Sequence, residues 1–154
     1  MALFLKNLLF TLVVPGTAGV YVPLLLAQGR PPATGPGFVV ALALLAAGGA
    51  TYAWAVREFA AFGRGTPAPI DAPKRLVVHG LYRYTRNPMY VGVLTVLLGW
   101  VVLYQTLTLL VYAISVGFCF HLFVVLYEER HLAQVFGAEY SNYCANVGRW
   151  LPHF

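Results

Sequence analysis

The chain has 154 residues, 60% of them hydrophobic and only 10% charged, with ten Lys and Arg against five Asp and Glu for a formal net charge of +5. An average soluble domain carries roughly 25% charged residues, so the composition excludes an ordinary soluble domain and points to the bilayer as solvent. The length suits one bundle rather than two modules, and the positive balance suits anionic lipid headgroups rather than nucleic acid, because long uncharged runs separate the basic residues.

The opening stretch "MALFLKNLLFTLVVPGTAG" has the look of a signal peptide, with Lys6 before an apolar core and small residues after it. It is read instead as a retained span. Leu8 to Ala27 and Phe38 to Val56 carry no charge and approach the ~20 apolar residues that a crossing helix needs. Pro15, Gly16, Gly19 and Pro23 predict a kinked first helix whose freed backbone groups are satisfied by neighbours. In the second span, "LLAAGGATYA" offers small residues against which another helix can pack closely. A nucleotide-binding glycine loop would need a preceding strand and polar surroundings, which this stretch lacks.

A strap follows, "FGRGTPAPIDAPKRLVVHGLYRYTRNPMYVG", in which Pro67, Pro69 and Pro73 forbid a continuous helix. It should lie extended on the membrane surface, with "LYRYTRN" forming a helical turn. That turn breaks at Asn87, where the following Pro88 disfavours helical geometry, and Pro88 then suits the first turn of the third span. From Met89 to Tyr127 there is no Lys, Arg, Asp or Glu. As one helix at ~1.5 Å per residue this run would far exceed a ~30 Å hydrocarbon core, so it must fold back. The polar "YQTLT", Tyr104 to Thr108, sets the turn between a third span (about Met89 to Leu103) and a fourth (about Leu107 to Tyr127).

In "YEERHLAQVFGAEYSNYCANVGRWLPHF", the residues Leu132, Val135, Phe136, Tyr140 and Tyr143 recur at helical steps. They predict an amphipathic extension of the fourth helix, interrupted at Gly137 and ended by Gly148 and Pro152. The expected class is therefore an all-α, multi-pass membrane bundle with about four transmembrane helices, a C-terminal amphipathic cytoplasmic helix and no Rossmann domain. It is one domain: 1–60 the first two spans, 61–88 the strap, 89–127 the hairpin and 128–154 the tail.

Four spans put Lys6, Arg57, Arg64, Lys74, Arg75, Arg83, Arg86, Arg130 and Arg149 on one side and only Arg30 opposite. The positive-inside rule then places both termini and the strap in the cytoplasm, here of a prokaryotic inner membrane. All five acidic residues, Glu58, Asp71, Glu128, Glu129 and Glu139, share that face. Neighbouring helical residues point about 100° apart, so at least one of Glu128 and Glu129 should look into the bundle, with Arg83 or Arg86 as its available partner. Cys119 and Cys144 show no metal spacing and are expected as unpaired thiols, and no metal is expected. Cations, paired carboxylates and tyrosines thus converge where two helices enter the membrane, a place able to hold a zwitterionic, water-soluble molecule against a lipid-facing cleft.

The pattern "HGLYRYTRNPMYVG", followed after a two-span hairpin by "EERHL" and then FG, two Tyr and "RWLP", resembles the integral-membrane methyltransferases related to isoprenylcysteine carboxyl methyltransferase and phospholipid N-methyltransferase. The likeness covers roughly Phe62 to Pro152. It implies a helical S-adenosylmethionine pocket at the cytoplasmic boundary, with methyl transfer to a lipophilic acceptor of isoprenylcysteine carboxyl type. A phospholipid, or a small apolar amine or thiol, is the alternative acceptor. The resemblance further implies that His79, Gly80, Leu81 and Tyr82 line the cofactor, that Arg86, Asn87, Pro88 and Tyr90 form a box at the head of the third span, and that Glu128 and Glu129 hold polar groups of the cofactor. Tyr140 and Tyr143 would close a lid. Arg86, Asn87, Tyr90 and Glu129 are the implied catalytic set. Where the family often has His in the box this chain has Asn87, an amide that hydrogen-bonds but does not titrate. His131 is then the candidate for a missing base, with a solvated surface histidine as the alternative reading of it.

A rival class is a haem- or quinone-binding membrane protein, since His121 lies within the fourth span. The other histidines, His79, His131 and His153, fall on or near the cytoplasmic surface, so a second ligand at the depth of His121 is missing. His121 is accordingly expected to be hydrogen-bonded within the bundle.

Overall fold

The computed structural model describes residues 2–63 and 75–152, with side chains from residue 9 onward. The strap prolines Pro67, Pro69 and Pro73, together with Arg64, Asp71, Lys74 and His153, lie outside the described residues, as does the side chain of Lys6. Within them the fold is wholly helical.

Helix α1 runs as Ala2–Gly16, passes through a π turn Thr17–Tyr21 and ends as Val22–Leu26. The wide turn follows Pro15, which has no N–H to give the helical ladder. Neighbouring helices satisfy the carbonyls around it, as the sequence predicts: Tyr112 donates to the Ala18 carbonyl and Trp100 Nε1 to that of Gly19, each at 2.9 Å. Helix α2 (Pro36–Glu58) starts on a proline at its first position and continues through a π turn Phe59–Gly63.

A short 3₁₀ turn, Gly80–Arg83, then leads to α3 (Pro88–Tyr104), again opened by a proline. Gln105, in left-handed geometry at φ 48°, ends α3. Thr106 caps the next helix by accepting from the Leu109 N–H. This tight reversal sits at the expected polar interruption. Helix α4 begins as Leu107–Phe123, passes through a π turn Val124–Glu128 and continues as Glu129–Phe136. It therefore runs unbroken from the apolar span into the amphipathic extension. Gly137, at φ 52°, turns the chain into α5 (Ala138–Asn146).

Helices Leu9–Leu26, Pro36–Gly63 and Leu107–Phe136 are long and apolar enough to cross a membrane; Pro88–Tyr104 is apolar and shorter. At ~1.5 Å per residue its 17 residues span less than a ~30 Å hydrocarbon core, and it packs against both α2 and α4. Val93, Leu97 and Ala113 form the buried seam between α3 and α4. Against α2, α3 packs at backbone distance: a Cβ on Gly48 would stand 2.7 Å from the Gly92 carbonyl oxygen, and one on Gly99 would stand 2.8 Å from Leu45. Apolar side chains such as Val39, Leu98, Ile114 and Phe118 cover the exterior, as lipid contact requires.

Candidate functional site

Two pieces of chain meet above the α3–α4 hairpin. The residues before α3 descend through the 3₁₀ turn, whose Tyr82 is buried with Ala55 and Val77. The emergent part of α4 and then α5 close over them. Tyr143 of α5 donates from its hydroxyl to the Tyr82 carbonyl at 2.7 Å. Burial pushes both tyrosine hydroxyls above their usual range, with the charge of Glu128 adding to the rise at Tyr82 and Arg86 opposing it at Tyr143. Both remain protonated donors at neutral pH.

Glu128 and Glu129 separate as adjacent helical residues must, helped by the π turn that ends at Glu128. Glu128 accepts from the Tyr90 hydroxyl at 3.0 Å and has no cationic partner among the described residues. Glu129 is saturated. Arg86 Nη1 reaches its Oε1 at 3.0 Å, while Arg149 binds both oxygens, Nε to Oε1 at 2.7 Å and Nη2 to Oε2 at 2.9 Å. That hydrogen bond holds the Arg149 guanidinium above its usual pKa range. The Arg86 Nη1 also lies 2.7 Å from Cys144 Sγ, and its Nε is buried with no partner among the described residues. Asn87 is buried and donates from Nδ2 to the Arg149 carbonyl at 3.1 Å.

A cavity of about 170 Å³ joins the two pieces. Its polar end is lined by Tyr82, Arg86, Asn87, Tyr90, Glu128 and Tyr143, with His131 beside them. The apolar end is lined by Phe10, Val14, Pro15 and Ala18 of α1 and by Phe120 and Phe123 of α4. Tyr52, hydrogen-bonded to Thr11 at 3.1 Å, stands between α1 and α2 on its wall.

Of the residues singled out from sequence, Tyr82, Arg86, Asn87, Pro88, Tyr90, Glu128 and Tyr143 line this cavity, and His79, Gly80, Leu81, Glu129 and Tyr140 do not. His79 is exposed, its ring 4.8 Å from Phe62. Gly80 faces Glu58, and Leu81 packs on the Ala55–Val77–Tyr82 cluster. Glu129 is turned to the two arginines, and Tyr140 is buried, its ring 6.3 Å from that of Tyr143. Gly80 has a conformational reason to be glycine: its φ is +55° and a Cβ would sit 2.8 Å from Glu58 Cδ. Gly80→Ala should therefore cost ~1 kcal/mol or more, read as a lower unfolding temperature in detergent.

Sequence reasoning missed Arg149 and Trp150 as site residues, which fold back onto the box. Nothing in the spacing of the tail signals that return, because it depends on the turn at Gly137. His121 is hydrogen-bonded, but its partner is Trp150 of the tail at 3.3 Å rather than another bundle residue. Both cysteines are free thiols.

The model of the phospholipid methyltransferase family matches residues 36–139, from the start of α2 into α5. The chain belongs to the phospholipid methyltransferase family. With its apolar helices this makes it an integral membrane protein. The region characteristic of the family thus holds the polar end of the cavity apart from Tyr143, but neither the α1 residues of its apolar end nor Arg149. A methanethiol S-methyltransferase from Pseudomonas deceptionensis is 36% identical over 84 residues, 54% of this chain and 30% of that relative. The chain thus aligns with less than a third of the relative's length. No solved structure matches the chain.

Proposed function

We propose that the protein is an S-adenosylmethionine-dependent methyltransferase acting on a lipophilic acceptor, with the cofactor at the polar end of the cavity and the acceptor at its apolar end. The carrying observation is the cavity itself, which runs from a cation and a carboxylate to hydrocarbon walls without a break. Its donor set fits the cofactor. Arg86, whose side chain lines the cavity, suits the cofactor carboxylate, and Glu128, without a cationic partner among the described residues, suits a positive group. The rings of Tyr82, Tyr90 and Tyr143 add faces for a cation or a base.

When bound, S-adenosylmethionine supplies a methyl group on a positively charged sulfur, to which the acceptor donates a lone pair as the carbon–sulfur bond breaks and its electrons return to sulfur. The protein's part is positioning, which for well-oriented partners is worth ~7–11 kcal/mol of barrier. The apolar wall also keeps water from the reacting atoms. Arg57, Arg83, Arg86, Arg130 and Arg149 lie at the site's end of the bundle and Arg30 at the other, which supports a cytoplasmic site and cytoplasmic termini.

Among acceptors, an isoprenylcysteine-type carboxylate would need no base. A small thiol or a lipid amine must lose a proton, and the half-buried His131 on the cavity wall, stacked on Tyr127, favours that second reading. The relative's name, methanethiol S-methyltransferase, is consistent with it. Incubating the purified protein with methyl-labelled S-adenosylmethionine, native lipid extract and, separately, small alkyl thiols should give a labelled apolar product. Label in neither arm would count against the reading.

A further inference from the structure

We infer that the Gly148–Trp150 segment is a clasp that sets the cofactor-binding box, with Arg149 as its positioning residue; the functional half of this inference rests on the methyltransferase reading above. Thr85 and the box residues Arg86 and Asn87 are all tied to it. The Arg86 N–H donates to the Gly148 carbonyl at 3.0 Å, and the Arg149 carbonyl accepts from Thr85 Oγ1 at 3.0 Å and from Asn87 Nδ2 at 3.1 Å. Beyond Arg149, the Trp150 ring lies 6.4 Å from that of Tyr90 and donates to His121. The segment thereby bridges the head of α3 and both the embedded and the emergent parts of α4.

The side chain of Arg149 adds what the backbone bonds do not. It holds both oxygens of Glu129, so Arg86 reaches that carboxylate through one oxygen only, Oε1. Without Arg149, Glu129 could take Arg86 in a two-pronged pair and draw it from the cavity wall. A second guanidinium therefore keeps the first one available. The arrangement also explains Asn87 in chemical terms: an amide at this position donates to the Arg149 carbonyl whatever the pH, because it does not titrate.

A merely structural Arg149 would change stability and leave the binding of the folded fraction alone. Two readouts separate the cases, both in a Cys119→Ser background so that Cys144 is the remaining thiol. The first is the Kd for S-adenosylmethionine by calorimetry in detergent. It should rise about tenfold in Arg149→Ala, recover only in part in Arg149→Lys, which supplies charge without the fork, and fall back toward the parent value when Glu129→Gln is added to Arg149→Ala, because the neutral amide no longer draws Arg86 away. The second needs no cofactor: maleimide labelling of Cys144, which lies against Arg86, should change severalfold in rate in Arg149→Ala relative to the parent. Unchanged Kd and unchanged labelling, with only a lower unfolding temperature, would overturn the clasp. Altered labelling in a protein whose parent binds no S-adenosylmethionine would leave the clasp standing and refute the methyltransferase reading instead.

Discussion

Replacing Arg86 by Ala should weaken S-adenosylmethionine binding about a hundredfold, close to the ~3 kcal/mol upper range for a hydrogen bond to a charged group, while the protein still inserts and unfolds cooperatively. Folding should survive because Glu129 keeps both of its bonds to Arg149, so removal of Arg86 strands no buried carboxylate. Glu129→Ala is a different experiment. It removes the shared partner of two guanidinium groups, and in this part-exposed setting that loss should cost ~1–3 kcal/mol. Calorimetry paired with thermal unfolding in the same detergent separates the variants: Arg86→Ala should lose affinity with little loss of stability, and Glu129→Ala should lose both.

Gly92→Ala should be, with Gly48→Ala on the facing helix, among the most damaging methyls added to the bundle. A Cβ on Gly92 would stand 2.8 Å from the Tyr52 backbone nitrogen and 3.0 Å from the Gly48 carbonyl oxygen, and neither can swing aside. Helices α2 and α3 would have to separate, at a cost of ~1–3 kcal/mol. Gly49→Ala is the matched control, since a Cβ there meets nothing within 4 Å. A fall of several degrees in unfolding temperature for the first variant and none for the second is the expected result. Because Tyr52 lies on the cavity wall, the first should also weaken cofactor binding.

The helices were legible because a bilayer leaves few solutions. Uncharged runs had to be helical and had to reverse where polar residues interrupt them, as at Gln105 and Thr106. The kink after Pro15 and the close packing at Gly48 were legible for equally local reasons: a missing N–H and a missing Cβ. The distribution of roles between Glu128 and Glu129 was not. Their directions depend on the π turn Val124–Glu128, which a 3.6-residue period does not describe. Arg149 was invisible as a partner because it returns to Glu129 only after the reversal at Gly137. His79 and Leu81 lie near the box in sequence, yet the extended backbone at His79 and the positive φ at Gly80 carry His79 to the outside and turn Leu81 onto the Ala55–Val77–Tyr82 cluster rather than the cavity. Adjacency along the strap was thus a poor guide to adjacency around the cavity.

The central claim is that one cavity receives a charged methyl donor at its polar end and an apolar acceptor at the other. Structure determination of the detergent-solubilised protein with S-adenosylhomocysteine tests it most directly. The product analogue should lie between Arg86, Tyr90, Glu128 and Tyr143, with its sulfur directed toward the space bounded by Val14 and Phe123. A bound molecule elsewhere on the bundle, or saturating ligand with this cavity still empty, would contradict the account.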